Sequence, residues 1–203
     1  MSRPKLTYFD SPMSRGEEAR LALVIAGVDF EDHRIQREDW PAMKASMPYG
    51  QLPVVELPGK PPLAQVNAIL ELIGRRHGLH PTDDFEAARH LGMMQHVEDL
   101  RATMSPTIRM ADPEKKTARE ALVKDYLPAW GQFAERNITG PGPYFAGADP
   151  SVVDVKLHMA VRWFAGGKVD YVPADIFSAF PKLVAAHDAV RDHPRVKAWY
   201  ARS

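Results

Sequence analysis

Two short segments have residue types and a spacing that suit the binding of a small acidic peptide. The first is Leu52-Pro53-Val54, a proline corner before an apolar strand. A cis bond is expected there, because the cis form of an X-Pro peptide bond costs much less free energy than that of other peptide bonds. Such a corner leaves the backbone N–H and C=O of Leu52 available to an extended peptide. The second is Gln65-Val66, which begins a predicted helix whose first N–H groups attract a carboxylate.

Tyr8 lies at the end of the first predicted strand, where its phenol can point from the sheet edge towards a bound sulfur. A free thiol has a pKa of about 8.5, and each unit by which a site lowers that pKa corresponds to about 1.4 kcal/mol. One directed O–H donor and a nearby cation can supply one or two such units. From the residue alone, the favoured interpretation is an ordinary aromatic position in a strand.

The predicted strands and helices that carry these residues divide the chain in two. Strand patterns at 6–9, 30–35 and 52–57 alternate with helix patterns at 17–26 and 65–76, which predicts a small mixed sheet covered by helices. A polar linker near His80-Pro81-Thr82-Asp83-Asp84 follows, and beyond it apolar residues recur every three or four positions. We therefore expect an α/β domain over 1–79 and an all-α domain over 85–203. Further helices are predicted at 151–165, 180–191 and 194–202, with a kink at Pro128.

Composition excludes several classes of function. The chain has 26 basic and 26 acidic residues, and this zero net charge disfavours nucleic acid as a partner. The chain has no cysteine, so a thioredoxin-type exchange or a cysteinyl nucleophile is impossible. The eight histidines are scattered, which predicts no metal site. No signal-like or membrane-spanning run is visible, so we expect a cytoplasmic protein without a membrane partner.

The order of several motifs is similar to that of the cytosolic glutathione transferases. The chain most closely resembles their sigma class, which includes the haematopoietic prostaglandin D synthases. The residues that carry the resemblance are Lys5-Leu6-Thr7-Tyr8-Phe9, Glu31-Asp32-His33-Arg34-Ile35, Asp39-Trp40-Pro41, the two segments above, Val97-Glu98-Asp99-Leu100 and Ser151-Val152-Val153-Asp154. The resemblance implies a thioredoxin-like first domain and an all-helical second one. It also implies that glutathione is the cosubstrate and that the protein is a homodimer.

The resemblance assigns roles to particular residues. Tyr8 stabilises the thiolate of glutathione, and Arg15, expected in the turn before the first helix, supports it. The segment from Asp10 to Ser14 carries one residue more than the corresponding loop of the family. Ser11 or Ser14 could therefore replace Tyr8 as the donor to the thiol. The glutathione-binding residues are Trp40, Lys44, Gln51, Leu52, Pro53, Gln65, Val66 and Asp99.

Three of these binding residues carry specific expectations. Trp40 and Lys44 are four residues apart, so one helical turn puts both at the glycyl end of glutathione. Asp99 would receive the γ-glutamyl ammonium of glutathione across a dimer interface. Val66 departs from the serine or threonine that is usual there, and the loss of this hydroxyl predicts weak binding of glutathione.

The predicted function is conjugation of the glutathione thiolate to a small, largely apolar electrophile. The electrophile pocket is predicted from Phe9, Met13, Ser14, Arg101, Met104, Ser105 and Arg109, of which Arg101 and Arg109 hint at an anionic substrate. Two alternatives stay open. One is a glutathione-dependent isomerase or peroxidase, and the other is a non-catalytic ligand-binding protein of the same fold, which Val66 favours. Ser151 and Asp154 match a capping box and are predicted to be structural.

Overall fold

The computed structural model describes residues 3–202, which form two compact units. The first unit contains the residues up to Asp83 together with those from Asp192 onward, and the second unit is Asp84–Arg191. The last helix, expected with the all-helical domain over 85–203, therefore packs within the first unit.

The first unit is a four-stranded mixed sheet with helices, as the sequence predicts. The strands are β1 (Lys5–Phe9), β2 (Glu31–Ile35), β3 (Val54–Glu56) and β4 (Leu63–Ala64) in the order β2-β1-β3-β4. β1 runs parallel to β2 and antiparallel to β3, and β4 runs antiparallel to β3. The helices of this unit are α1 (Ser14–Ala26), α2 (Trp40–Met43), α3 (Val66–His77) and, near the end of the chain, α9 (Pro194–Tyr200).

Buried apolar residues of α1, α3 and the central strands form the core of this unit. Leu6 on β1, Leu21 on α1 and Leu70 on α3 are fully buried. Gly27 and Gly78 follow α1 and α3 with left-handed φ values of 71° and 72°, so both helices end at the glycines that the sequence indicates.

The second unit consists of helices, which confirms the predicted fold class. They are α4 (Asp84–Ile108), α5 (Glu114–Ala121), α6 (Leu127–Asn137), α7 (Val152–Ala165) and α8 (Pro181–Asp192). A π-helical turn, Leu122–Tyr126, joins α5 to α6 and ends two residues before Pro128. Because proline cannot donate the hydrogen bond that an α-helix requires, this turn accommodates the irregularity expected at Pro128.

The capping box predicted at the start of α7 is present. The backbone N–H and the hydroxyl of Ser151 both donate to Asp154, at 2.9 Å and 2.7 Å. Asp154 also accepts the backbone N–H of Phe145 at 2.6 Å. Burial raises the pKa of Asp154 to about 6, although these hydrogen bonds favour the ionised form. Asp154 therefore joins the loop at Phe145 to the first turn of α7, which is a structural role.

Helices α7 and α8 are joined by two stacked histidines. The rings of His158 and His187 lie 4.5 Å apart at 15°, and Nδ1 of each donates to the backbone carbonyl of the other, at 3.0 Å and 3.1 Å. Nε2 of His158 is buried without a hydrogen-bond partner among residues 3–202. Burial, with repulsion from His187, lowers the pKa of His158 to about 3, and burial lowers the pKa of His187. Arg162 and Arg191 lower both pKa values further, while Asp188 raises that of His187.

We expect this pair to make folding sensitive to acid. Unfolded histidines titrate near pH 6.5, so below that pH the unfolded chain binds more protons than the folded one. The free energy of unfolding should therefore fall as the pH drops below about 6.5, by up to about 1.4 kcal/mol per pH unit for each histidine. Urea unfolding across this pH range measures the slope, and His158→Met should reduce it.

His77→Asn, at an exposed position outside the pair, is the matched control and should retain the wild-type slope. Asp154 acts in the opposite sense below its pKa of about 6, but its contribution is common to all three proteins and cancels in the comparison. Equal slopes for wild type and His158→Met would contradict the assignment.

Candidate functional site

The corner before β3 has the geometry that the sequence predicts. The Leu52–Pro53 peptide bond is cis. Among the described residues, neither the backbone N–H nor the C=O of Leu52 has a hydrogen-bond partner. Both groups are therefore available to a ligand that lies along this edge in an extended form.

The structure brings the corner and the start of α3 together. Gln65 Nε2 donates to Gln51 Oε1 at 2.8 Å, so the two exposed side chains meet. Gln65 precedes α3 with φ 70° and ψ 111°, a sparsely populated conformation for a residue with a side chain. This conformation places Gln65 beside the first N–H groups of α3, where a carboxylate is favoured.

Val66, the first residue of α3, is buried. Its backbone N–H is one of the N-terminal groups that lack a partner inside the helix. Its side chain packs in the core instead of offering a polar atom at the helix start. The site at α3 thus depends on backbone N–H groups and on Gln65.

Tyr8 is half-buried near the end of β1. Its hydroxyl has no hydrogen-bond partner among residues 3–202, so the O–H remains available for an incoming acceptor. The guanidinium carbon of Arg20 lies 5.8 Å from the centre of the Tyr8 ring. A positive charge over the ring is the kind of nearby cation that favours a bound anion.

Gly16 makes room for the ring of Tyr8. A Cβ at this position would lie 1.9 Å from Tyr8 Cδ1 and 2.1 Å from Cγ, so any side chain here would displace the ring. Since Gly16 is in the first turn of α1, the ring rests directly on the helix backbone. No pattern in the sequence indicates this contact.

A buried ionic cluster holds the backbone that follows Tyr8. Arg20 Nε donates to Asp32 at 2.7 Å, and its Nη1 donates to Glu17 at 3.2 Å. Its other bonds go to the backbone carbonyls of Ser11, at 2.8 Å, and Phe9, at 3.2 Å. The side chains of Arg20 and Glu17 are fully buried. We call Arg20, Glu17 and Asp32 the Arg20 cluster; it fixes the loop that leaves β1.

Two further residues extend the Arg20 cluster towards the surface. Arg34 donates to Asp32 at 2.7 Å and to Asp10 at 3.0 Å, and this hydrogen bond lowers the pKa of Asp10. Trp199 Nε1 on α9 donates to Glu17 Oε1 at 3.0 Å. The last helix therefore contributes directly to the support of the Tyr8 loop.

The sequence predicted Arg15 in a turn, but the structure corrects this. Helix α1 begins at Ser14, so Arg15 is in its first turn and is half-buried. Ser14 has φ 66°, a left-handed value that is uncommon for a residue with a side chain. Met13, the residue before the helix, is half-buried beside it. Ser11 and Ser14 are likewise half-buried, so neither is removed as a rival donor to the thiol.

Trp40 and Lys44 have the helical relation that their spacing predicts. The backbone N–H of Lys44 donates to the carbonyl of Trp40, so one turn separates them. The Trp40 ring meets Phe9 edge to face at 6.0 Å, and Phe9 meets Tyr8 at 5.5 Å. Lys44 is exposed. Phe9 therefore contacts both Tyr8, the proposed thiol donor, and Trp40, one of the two proposed glycyl-binding residues.

The predicted residues of the second unit differ in exposure. Asp99 is exposed on α4, and its neighbour Glu98 accepts bonds from Lys156 at 2.5 Å and Arg101 at 2.8 Å. Arg101 and Met104 are buried. Ser105 and Arg109 are exposed, and the Ser105 hydroxyl donates to the carbonyl of Arg101 at 2.6 Å. Asp99 stays a predicted contact of glutathione. The predicted contacts of the electrophile in this unit stay Arg101, Met104, Ser105 and Arg109.

No cluster of three or more histidine or carboxylate side chains within residues 3–202 is placed to bind a metal ion. None of the helices in that range has the length and apolar character needed to cross a membrane.

Comparison with known proteins gives matches along nearly the whole chain. The family model described as "Glutathione S-transferase, N-terminal domain" matches residues 4–75, and "Glutathione S-transferase, C-terminal domain" matches 98–203. Glutathione S-transferase 1 of Ascaris suum is 32% identical, with 99% of this chain and 97% of that protein covered.

Two solved structures are also similar over almost their full length. Prostaglandin synthase D of Nilaparvata lugens has a TM-score of 0.86 and 31% identity, with 98% of each chain covered. Monomeric Na-GST-3, a glutathione S-transferase of Necator americanus, has a TM-score of 0.84 and 29% identity, with 98% of this chain and 97% of that chain covered.

Proposed function

Because the chain belongs to the glutathione S-transferase family, we propose that it conjugates the thiolate of glutathione to a small, largely apolar electrophile, with Tyr8 as the thiolate-stabilising donor. The observation that carries this proposal is the unpartnered hydroxyl of Tyr8, half-buried between the Gly16 backbone and the Arg20 cluster. The enzyme supplies ionisation, orientation and partial exclusion of water, and glutathione supplies the nucleophile.

Each residue of the proposed site has a separate role. Leu52 pairs with the peptide backbone of glutathione, and Gln65 with the N–H groups of α3 binds its γ-glutamyl carboxylate. Trp40 and Lys44 bind the glycyl carboxylate, which leaves the sulfur close to Tyr8. Arg15 supports the thiolate with its positive charge. In the transfer step the sulfur lone pair forms the bond to the electrophilic atom, and the leaving group departs with its electron pair.

Calorimetric titration with glutathione tests the proposal, and the Val66→Ser variant tests whether the start of α3 binds the carboxylate. A hydroxyl at the start of α3 adds one hydrogen bond to the carboxylate, so we expect binding about 10-fold tighter than wild type. Removing buried apolar surface at this position should also lower the free energy of unfolding by about 1 kcal/mol. Val66→Thr is the matched variant, since it adds the hydroxyl and retains the branched shape.

Three outcomes decide between the candidates. Wild type that binds no glutathione at millimolar concentration would overturn the proposal. Binding without turnover of activated aryl chlorides or epoxides would favour the non-catalytic alternative. A glutathione-dependent isomerase is the second candidate, favoured by the 31% identity to prostaglandin synthase D of Nilaparvata lugens. Turnover of an isomerase substrate without conjugation would select the isomerase.

A role in detoxification and a cytoplasmic location stay predictions from the family resemblance.

The proposal includes a homodimer in which Asp99 of the partner subunit binds the γ-glutamyl ammonium. Asp99 is exposed and has no partner among the described residues. Two further features support pairing. Tyr49 has 77% of its surface exposed, with φ 55°. A pocket of about 340 Å³ opens on the second unit, lined by Gly92, Met93 and His96 of α4 and Phe133 of α6. In the dimer, Tyr49 of each chain fills this pocket of the other.

Sedimentation equilibrium tests the dimer. We expect wild type to be dimeric and Tyr49→Ala to be monomeric, with glutathione affinity reduced about 10-fold because Asp99 is lost from the site. Phe85→Ala removes an equally exposed aromatic side chain, 72% exposed, and should remain dimeric. A monomeric wild type that binds glutathione fully would contradict the shared site. The relative from Necator americanus is monomeric. Sedimentation equilibrium therefore shows whether this chain shares that oligomeric state or forms a dimer.

A further inference from the structure

A cavity of about 370 Å³ lies in the first unit, beside the C-terminal end of α1. Its walls come from α1, from the segment that leads into β2, and from α9. The lining includes Val28, Phe30, Asp32, Arg195, Ala198 and Trp199. None of the lining residues is a proposed contact of glutathione or of the electrophile, although Asp32 belongs to the Arg20 cluster and Trp199 donates to Glu17 of that cluster. The proposed function therefore places neither substrate in this cavity.

One wall of the cavity is aromatic and held in place. The rings of Phe30 and Trp199 lie 5.9 Å apart at 34°. The indole N–H of Trp199 donates to the buried carboxylate of Glu17, which fixes the orientation of the indole. Such a surface suits a flat apolar ring, because aromatic stacking adds to the burial of apolar area.

The charges around the cavity leave an excess of positive charge. Both oxygens of Asp32 are taken, by Arg20 and Arg34 at 2.7 Å each, and Asp29 pairs with Arg3 at 3.6 Å. Within residues 3–202, by contrast, neither Arg195 nor the lining residue Arg202 forms an ion pair. Two guanidinium groups therefore remain for a ligand anion.

Arg195 is positioned by the backbone of α1. Its Nη1 donates to the carbonyl of Ile25 at 2.6 Å, in the last turn of the helix. Gly27 makes this approach possible, because a Cβ there would lie 2.5 Å from Nη1. One bond of the guanidinium is thus used for orientation, and its remaining N–H groups are free to bind an anion.

We propose that this cavity is a second binding site, for a planar aromatic carboxylate. The aromatic ring packs against Trp199 and Phe30, and the carboxylate accepts hydrogen bonds from Arg195 and Arg202. A bound carboxylate between two arginines forms charge-assisted hydrogen bonds, which are the stronger class. The uncharged amide of the same ring should therefore bind about 10-fold more weakly or worse.

Fluorine NMR of the full chain labelled with fluorotryptophan tests the site without glutathione or turnover. The chain has four tryptophans, and Trp199→Phe identifies the Trp199 resonance. In wild type we expect naphthoate to shift this resonance saturably, with naphthamide at least about 10-fold weaker. Saturating glutathione should leave the titration in place, which separates this site from the proposed catalytic one.

Three variants complete the test. Ala198→Phe places a ring in the cavity and should abolish the naphthoate shift, while Arg202→Gln should weaken binding about 10-fold. Arg76→Gln, an exposed arginine in the last turn of α3, is the matched control and should bind as wild type does. A Trp199 resonance that does not respond, a response that survives in Ala198→Phe, or equal affinities for naphthoate and naphthamide would each overturn the proposal.

Discussion

Tyr8→Phe is expected to lower kcat/KM for conjugation of an activated aryl chloride by about 10- to 100-fold at neutral pH. The variant retains the ring that packs on Gly16 and removes only the hydroxyl, which has no other partner among the described residues. Loss of this donor raises the pKa of the bound thiol by about one to two units, and the thiolate fraction falls accordingly. Steady-state rates with glutathione at saturation measure the effect.

A matched change checks that the effect belongs to the site. Tyr171→Phe also removes a phenolic hydroxyl, one that donates to Asp112 at 2.7 Å in the second unit, and should leave the rate within about twofold. Glutathione affinity should change little in Tyr8→Phe, because the peptide contacts involve other residues. A rate for Tyr8→Phe close to that of wild type would transfer the role to Ser11, Ser14 or Arg15.

Arg20→Met is expected to lower the free energy of unfolding by about 3–5 kcal/mol. The variant fills a similar volume but leaves Glu17 buried, with Trp199 Nε1 as its remaining described donor, and deprives the carbonyls of Phe9 and Ser11 of a donor. Removing one partner of a buried ion pair is costly because the other charge stays away from water. Urea unfolding gives the free energy, and a thermal scan should show a lowered Tm.

Arg75→Met is the control for this prediction. Arg75 pairs with Glu71 at 2.7 Å on the surface of α3, where its side chain is 62% exposed. A surface pair of this kind contributes at most about 1 kcal/mol, so the control should unfold almost as wild type does. If Arg20→Met were no more destabilising than Arg75→Met, the Arg20 cluster would not be the support of the Tyr8 loop.

The parts of the site that follow from local chemistry could be predicted from the sequence. The cis bond at Leu52-Pro53 and the capping box at Ser151 were predicted correctly, because each is set by residues next to each other in the chain. The relation of Trp40 to Lys44 follows from helical spacing alone. The end of α1 at Gly27 was also predicted correctly, because a glycine after a helical pattern is a local signal.

The support of Tyr8 could not be predicted in this way, because it depends on residues far apart in the chain. Glu17 looks like an acidic residue that favours a helix N-terminus, yet it is buried between Arg20 and Trp199. The spacing of Glu17 and Arg20, three apart, was the one local signal of their pairing. The contact of Gly16 with Tyr8 has no pattern in the sequence. Helix α9 packs on α1 through hydrogen bonds between residues that are 170 and 182 positions apart in the chain.

A pH titration of the ultraviolet absorbance of the thiolate in bound glutathione tests the role of Tyr8 without turnover. With Tyr8 as donor, the bound thiol should titrate at least about one unit below the value near 8.5 of a free thiol, and Tyr8→Phe should return it towards that value. A bound thiol in the wild-type protein that titrates as it does free in solution would rule out Tyr8 as the group that stabilises the thiolate.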